Sequence, residues 1–186
     1  MITDVLHTAN TLADADDTDD KLIIVRYREY RNLKECSKEL TAKEAIELHK
    51  SLWYKMAEIA ENEKRFPYKD EAIAMLGFIP SSVMNNCFLC HYAEQRLDEL
   101  IRGTRVPMYR EWCGKYYACN FCPARFIKER EGQTGHIAPC TMDGSPFVKY
   151  RELQSKSVHV LTNRISLKKV VKICRAVAEI EFLVTD

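Results

Sequence analysis

Two cysteine pairs of identical spacing constrain this chain more than any other feature. Cys87-Phe88-Leu89-Cys90 and Cys119-Asn120-Phe121-Cys122 each set two thiols three residues apart. A turn of that length lets both sulfurs reach one ion, and two such turns complete a tetrahedral shell. Any fold that uses both pairs must bring them together across 28 intervening residues. Disulfides, a redox dithiol and a metal site are the competing readings, and the rest of the sequence separates them.

The opening MITDVLHTAN lacks the basic segment and long apolar run of a secretory signal. No apolar run approaches the ~20 residues that span a bilayer. The expectation is a cytoplasmic chain with no membrane partner, in a compartment where thiols stay reduced. Eight cysteines there favour metal over disulfides. A thioredoxin-like dithiol needs strand–helix alternation around its motif, and none is read here. Zinc is the default ion, with an iron–sulfur cluster as the other thiolate option.

The simplest ligand set is Cys87, Cys90, Cys119 and Cys122. Cys140 is the alternate fourth ligand, and His136 and Cys113 are further nearby donors. Cys36, Cys113 and Cys174 also read as small buried apolar side chains. His91 and His136 read as histidines beside the site rather than in it. A catalytic zinc would want three ligands, an open position and a nearby base. The deaminase and HExxH patterns are absent, so the metal is expected to be structural. Phosphate-binding glycine loops and the GxSxG elbow are absent as well.

At 186 residues the chain is long enough for one domain with a real core. Its net charge of +1 hides an asymmetry. Residues 1–20 carry six aspartates and no Lys or Arg, which leaves 28 basic and 21 acidic side chains beyond them. That segment reads as an acidic flexible lead, and 21–186 as a single domain with the metal centre at 85–145. "KLIIVRYREYR" at 21–31 predicts a strand. Thr41 and Glu44 form a capping box that opens a helix to about Asn62. Its inward stripe is Ala45, Leu48, Leu52, Met56 and Ile59, widened by Ile46, Trp53 and Ala60. Further helices are expected near Asp70–Leu76, over 91–103 up to Gly103, from Ser145-Pro146, and after Ser166 with Val170, Val171, Cys174, Val177 and Ala178 inward. The fold class is α+β and mainly helical, organised round the cysteine centre, with a short N-terminal strand region.

A second set of candidates lies on the last helix. Arg164, Lys168, Lys172 and Arg175 share one face at helical spacing, with Lys169 beside them. They offer either a phosphate-binding face or a plain solvated one. "RYREYR" at 26–31 and "KYY" at 115–117 add tyrosines that either stack on bases or pack as ordinary aromatics.

Around the cysteines the chain resembles small cysteine-rich proteins encoded by bacteriophages. The resemblance rests on Asn85-Asn86, Cys87-Phe88-Leu89-Cys90, Tyr92-Ala93, Cys119-Asn120-Phe121-Cys122-Pro123, Cys140, and Pro146-Phe147 with Tyr150. The upstream "HKSLWYKMAEIA" fits the helix that precedes this centre, so roughly 41–152 is covered. The resemblance implies zinc, with Cys140 as a candidate fourth ligand, and no established activity. The leading expectation is a phage accessory protein that binds and modulates a host protein, in host takeover or defence evasion. A zinc-containing nucleic-acid-binding module is the alternative, and a metal-dependent hydrolase or nuclease the third.

Overall fold

Helix α1 (Ala42–Asn62) starts where its capping box requires. The Thr41 hydroxyl accepts from the Glu44 backbone N–H at 3.2 Å, and the Glu44 carboxylate accepts from the Thr41 N–H at 2.8 Å. That backbone bond, with the Thr41 hydroxyl, holds the Glu44 carboxyl below its usual range. The helix buries Ala45, Ile46, His49, Leu52, Trp53, Met56, Ala57, Ile59 and Ala60. Leu48, expected inward, is half-buried.

The computed structural model describes residues 30, 32–37, 39–103, 118–124, 140, 143–159 and 165–182. The chain divides into two units, Met1–Arg31 and Asn32–Asp186, and the described helices belong to the second. The acidic lead at 1–20 lies outside the described residues, as does the strand expected over 21–31 apart from Tyr30. After α1 come α2 (Lys69–Met75), two single 3-10 turns (Pro80–Ser82 and Met84–Asn86), and α3 (Phe88–Gly103). A 3-10 turn (Ala118–Phe121), α4 (Pro146–His159) and α5 (Leu167–Ala178) complete the order. The described part is therefore mainly helical. Its only strand-like pairing is an isolated parallel bridge between Lys34 and Phe78. Lys34 N–H donates to Gly77 O at 3.0 Å, and Ile79 N–H donates to Lys34 O at 2.9 Å. No described helix is long and apolar enough to cross a membrane.

The core lies between α1 and α5, which form the most extensive helix pair; α4 packs on α5, and α2 and α3 pack on α1. α5 contributes Val170, Ile173, Cys174, Val177 and Ala178, while Val171 is half-buried. Ser166 occupies the N-cap of α5, but its side chain makes no capping bond. Trp53 meets Tyr150 edge-on at 5.0 Å and Phe147 at 5.7 Å. The Tyr150 hydroxyl donates to Pro67 O at 2.8 Å. Burying each of these large side chains stabilises the fold by roughly 1.5–3 kcal/mol. Arg65 clamps the α1–α2 turn, with bonds of 2.6 and 2.5 Å to the Glu71 carboxylate and 2.7 Å to Glu63.

Candidate metal centre

The segment leading into the first cysteine pair is shaped by two asparagines. Asn85 and Asn86 both take left-handed backbone, at φ 53° and 49°. Asparagine tolerates this region better than most residues, which accounts for two in succession here. Backbone bonds close the turn: Asn86 N–H to Val83 O and Cys87 N–H to Met84 O, each 3.0 Å. The Asn86 side chain also donates to the Asp70 carboxylate.

The turn delivers Cys87 to the start of α3. Cys87 is extended (φ −149°, ψ 114°), and its carbonyl accepts the His91 N–H at 2.9 Å. It therefore sits at the helix N-cap, with Cys90 in the first turn. This differs from the helix expected from 91, because the Cys87 carbonyl starts the hydrogen-bond ladder three residues earlier. Both sulfurs lie at the positive end of the helix dipole, which favours thiolate.

The second pair forms a matching turn, with Cys122 N–H donating to Cys119 O at 3.2 Å. Ala124 N–H bonds back to Cys122, and Ala124 itself is buried. Cys140 is tied to α4 by Arg151, whose guanidinium donates to Cys140 O at 2.7 Å. Cys90, Cys122 and Cys140 are half-buried and pack against the core, and Cys87 lies within it. All the described cysteines are free thiols.

The sulfurs act on one another. Cys90 donates to Cys87, and this bond holds Cys87 well below the usual thiol range despite burial, helped by His49 and Lys69. The same bond, with the charge on Cys87, pushes Cys90 far upward, and Cys122 and Cys140 add to the effect. Burial first, and then the Cys87 charge, pushes Cys122 up to about 12, while the Ala124 bond works the other way. Burial and then Cys87 and Cys119 raise Cys140, opposed by Arg151 and Lys69. Cys87 therefore ionises most readily, while its bond to Cys90, burial, and the repulsion of a second thiolate by the first disfavour ionisation of Cys90, Cys122 and Cys140. Cys119 joins the group through Cys122 and Cys140.

Two histidines border the cysteines, and they differ. His91 uses both ring nitrogens: Nε2 donates to Ser37 O at 2.9 Å, and Nδ1 accepts from Met84 N–H at 3.4 Å. It stands beside the site, as expected from the sequence. His49 is fully buried on α1 among Trp53, Phe147 and Phe182, with ring centroids 6.2, 5.8 and 5.7 Å away. Its Nε2 donates to Val177 O at 3.2 Å. Its Nδ1 has no hydrogen-bond partner of good geometry. The ring nonetheless acts on Cys87 as a hydrogen-bonding neighbour. We read the contact as close but short of a full hydrogen bond. The sequence reading passed over His49, although its place on the apolar stripe between Ala45 and Trp53 marked it as buried.

Among the described residues, no three His, Cys, Asp or Glu side chains stand in a ready-made ion cage. The donors converge without being drawn into a shell. Their chemistry nevertheless fits a soft divalent ion. Several thiols share one buried corner and hinder each other's ionisation, and a buried imidazole nitrogen lacks a partner. A divalent cation would relieve both, since it deprotonates coordinating thiols. Cys113 and His136 lie outside the described residues.

The basic candidates behave as a solvated face. Lys168, Lys169, Lys172 and Arg175 are exposed on α5, and Arg164 lies outside the described residues. Arg175 donates to the Glu61 carboxylate on α1 at 2.7 Å, which ties one of these cations to the protein itself.

No protein-family model matches the chain, and neither a curated protein nor a solved structure matches it.

Proposed function

We propose that this protein acts by binding another protein, and that a thiolate zinc site serves as the clasp that shapes its binding end. The observation that carries the reading is the approach of sulfurs from three separate segments. The first turn of α3 supplies Cys87 and Cys90, the turn before Pro123 supplies Cys122 with Cys119 beside it, and the residue bound by Arg151 is Cys140. Zinc held this way has its positions closed by protein donors and supplies cross-linking rather than chemistry. Cys87, Cys90 and Cys122 form the common part of the ligand set, and Cys119 or Cys140 supplies the fourth sulfur.

On this reading residues 21–186 form an α+β domain organised round the metal. The resemblance to phage-encoded cysteine-rich proteins makes the partner a host protein and the compartment the host cytoplasm. Elemental analysis of the purified chain should find one zinc per protein, lost in Cys90→Ser and Cys122→Ser. Affinity capture from host lysate, repeated with purified components, should then give a partner whose binding weakens in those variants. A metal-free wild-type protein would overturn the clasp, and a turnover abolished by one site mutation would overturn the binding role. The exposed lysines of α5 support a nucleic-acid reading as the second choice. Filter binding across a salt series tests it, and it fails if Lys168→Glu with Lys172→Glu leaves binding unchanged.

A further inference from the structure

We infer that Cys87 and Cys90 are a reversible dithiol, closed by a low-molecular-weight disulfide and reopened by a thiol, so that the cysteine end of the protein responds to redox state. The inference goes beyond the zinc reading and needs no metal. Among the described residues no three donors form an ion cage, so a pair is the unit that the backbone itself builds.

Position on α3 sets the pair. Cys87 is extended, and its carbonyl accepts the His91 N–H at 2.9 Å, so it is the N-cap residue and Cys90 is the third residue of the helix. Inside a helix, residues three apart hold their Cβ atoms about 5–6 Å from each other, whereas a disulfide wants about 3.5–4.5 Å. At an N-cap the extended backbone folds the side chain over the first turn instead, toward the third helical residue. α1 shows the result in this same protein. Thr41 and Glu44 occupy the same two positions, and Thr41 is extended as well. Its γ-oxygen lies 3.2 Å from the Glu44 backbone nitrogen and 2.7 Å from the Glu44 carboxylate. A cysteine sulfur occupies the same γ position, so the two thiols of α3 face each other across the first turn. The bond from Cys87 N–H to Met84 O at 3.0 Å holds the cap residue there. A 3-10 turn leads into the pair, not a strand, so this is a closing pair rather than the strand–helix dithiol of an oxidoreductase.

The two thiols differ in reach. Cys90 is half-buried and meets solvent, whereas Cys87 lies within the core at 9% exposure. Cys90 is therefore the sulfur that an oxidant RSSR meets. Its thiolate attacks one sulfur of RSSR, forming a Cys90–S–S–R bond and releasing RS⁻. Cys87 then attacks the Cys90 sulfur as thiolate, which closes the Cys87–Cys90 bond and releases the second RS⁻. The protons of the two cysteines end on the two leaving thiolates. RSSR is thus reduced to two RSH while the pair loses two electrons. Closure withdraws two sulfurs from the corner they share with Cys122 and Cys140.

Oxidised and reduced glutathione, mixed at stepped ratios, test the switch on the full-length protein, with a chelator present so that bound metal does not shield the thiols. Two of the eight thiols should disappear together, and peptide mapping should place the link between Cys87 and Cys90. The ratio of oxidised to reduced glutathione that closes it should be at least about tenfold lower than for the same link in the urea-unfolded chain, because the fold holds the sulfurs together. Cys87→Ser should stop with glutathione attached to Cys90, since the closing thiol is gone, and Cys90→Ser should leave Cys87 unmodified. No loss of thiols overturns the inference. So does a link through Cys119, Cys122 or Cys140 in place of this pair, or the same ratio in the folded and unfolded chains. None of these outcomes touches the clasp, which elemental analysis of the untreated protein decides. The wild-type map and ratios decide the matter even if neither variant folds.

Discussion

The α1–α5 core and the cysteine end of the molecule are held by different physics. The first is sealed by apolar area, with Leu52, Trp53, Met56, Val170, Cys174 and Val177 almost fully buried. The second holds its thiols on short turns at the margin of that core, with a small separate cluster of Ala93, Leu97 and Ala118 beside Cys122. A cysteine serves both regions in different ways. Cys174, pushed up to about 12 by burial, is an apolar filler in the core. Cys87 has neighbours that favour its thiolate. Residue type therefore says less about a cysteine's role than what surrounds it.

Four measurements can break or sharpen that contrast. The largest effect is expected in the core. Trp53→Ala should cost about 3–5 kcal/mol and lower the midpoint of the whole denaturant transition, because it empties the space between Phe147 and Tyr150. A cost below 1 kcal/mol would mean that the α1–α5 contact is not the stabilising centre.

Cys122→Ser should cost less, on the order of 1–3 kcal/mol, and act locally. Amide exchange should quicken at 118–124 and in the first turn of α3, and stay slow in α1. Equal quickening everywhere would erase the distinction between the two regions.

The third measurement titrates the core with alkali. Burial raises the Tyr150 phenol well above its ordinary 10. A group with a raised folded-state value contributes stability that is complete below its unfolded value and is lost as pH climbs toward the folded one. Stability should therefore fall as pH rises past about 10, and Tyr150→Phe should flatten this slope. An unchanged slope would place the phenol in contact with solvent.

The smallest effect is expected at the cap. Thr41→Ala should cost about 1 kcal/mol. The lowered Glu44 value has the opposite pH sign. Its contribution is present above the ordinary carboxyl value of 4.5 and is lost as pH falls through the folded one. Stability curves of wild type and Thr41→Ala should therefore converge in acid, and parallel curves would remove Glu44 from the cap.

The same division explains what could be read from the sequence. The extent of α1 was legible, because its cap, stripe and end are all local signals. Ser145-Pro146 marked the start of α4 for the same reason, with Ser145 Oγ accepting Val148 N–H at 3.3 Å. The start of α3 was misplaced, because Cys87 caps through its carbonyl and not through a typical capping side chain. The candidate site was legible as a set of cysteines and not as an arrangement. His49 was missed because its meaning comes from Val177, 128 residues away. No local pattern distinguishes a buried histidine with a spare lone pair from one that is satisfied.

The Asn85–Asn86 turn has a consequence for the order of assembly. Its backbone bonds span only three or four residues, and so does the ladder bond that starts α3. Such contacts form early and need no distant partner, whereas Cys140 must close a loop of 53 residues to meet Cys87. Cys87 and Cys90 should then be presented together before the other sulfurs arrive. On the zinc reading proposed above, a chelator added to the finished protein would undo the centre in reverse. It would free the segments that hold Cys122 and Cys140 and leave the first turn of α3 wound.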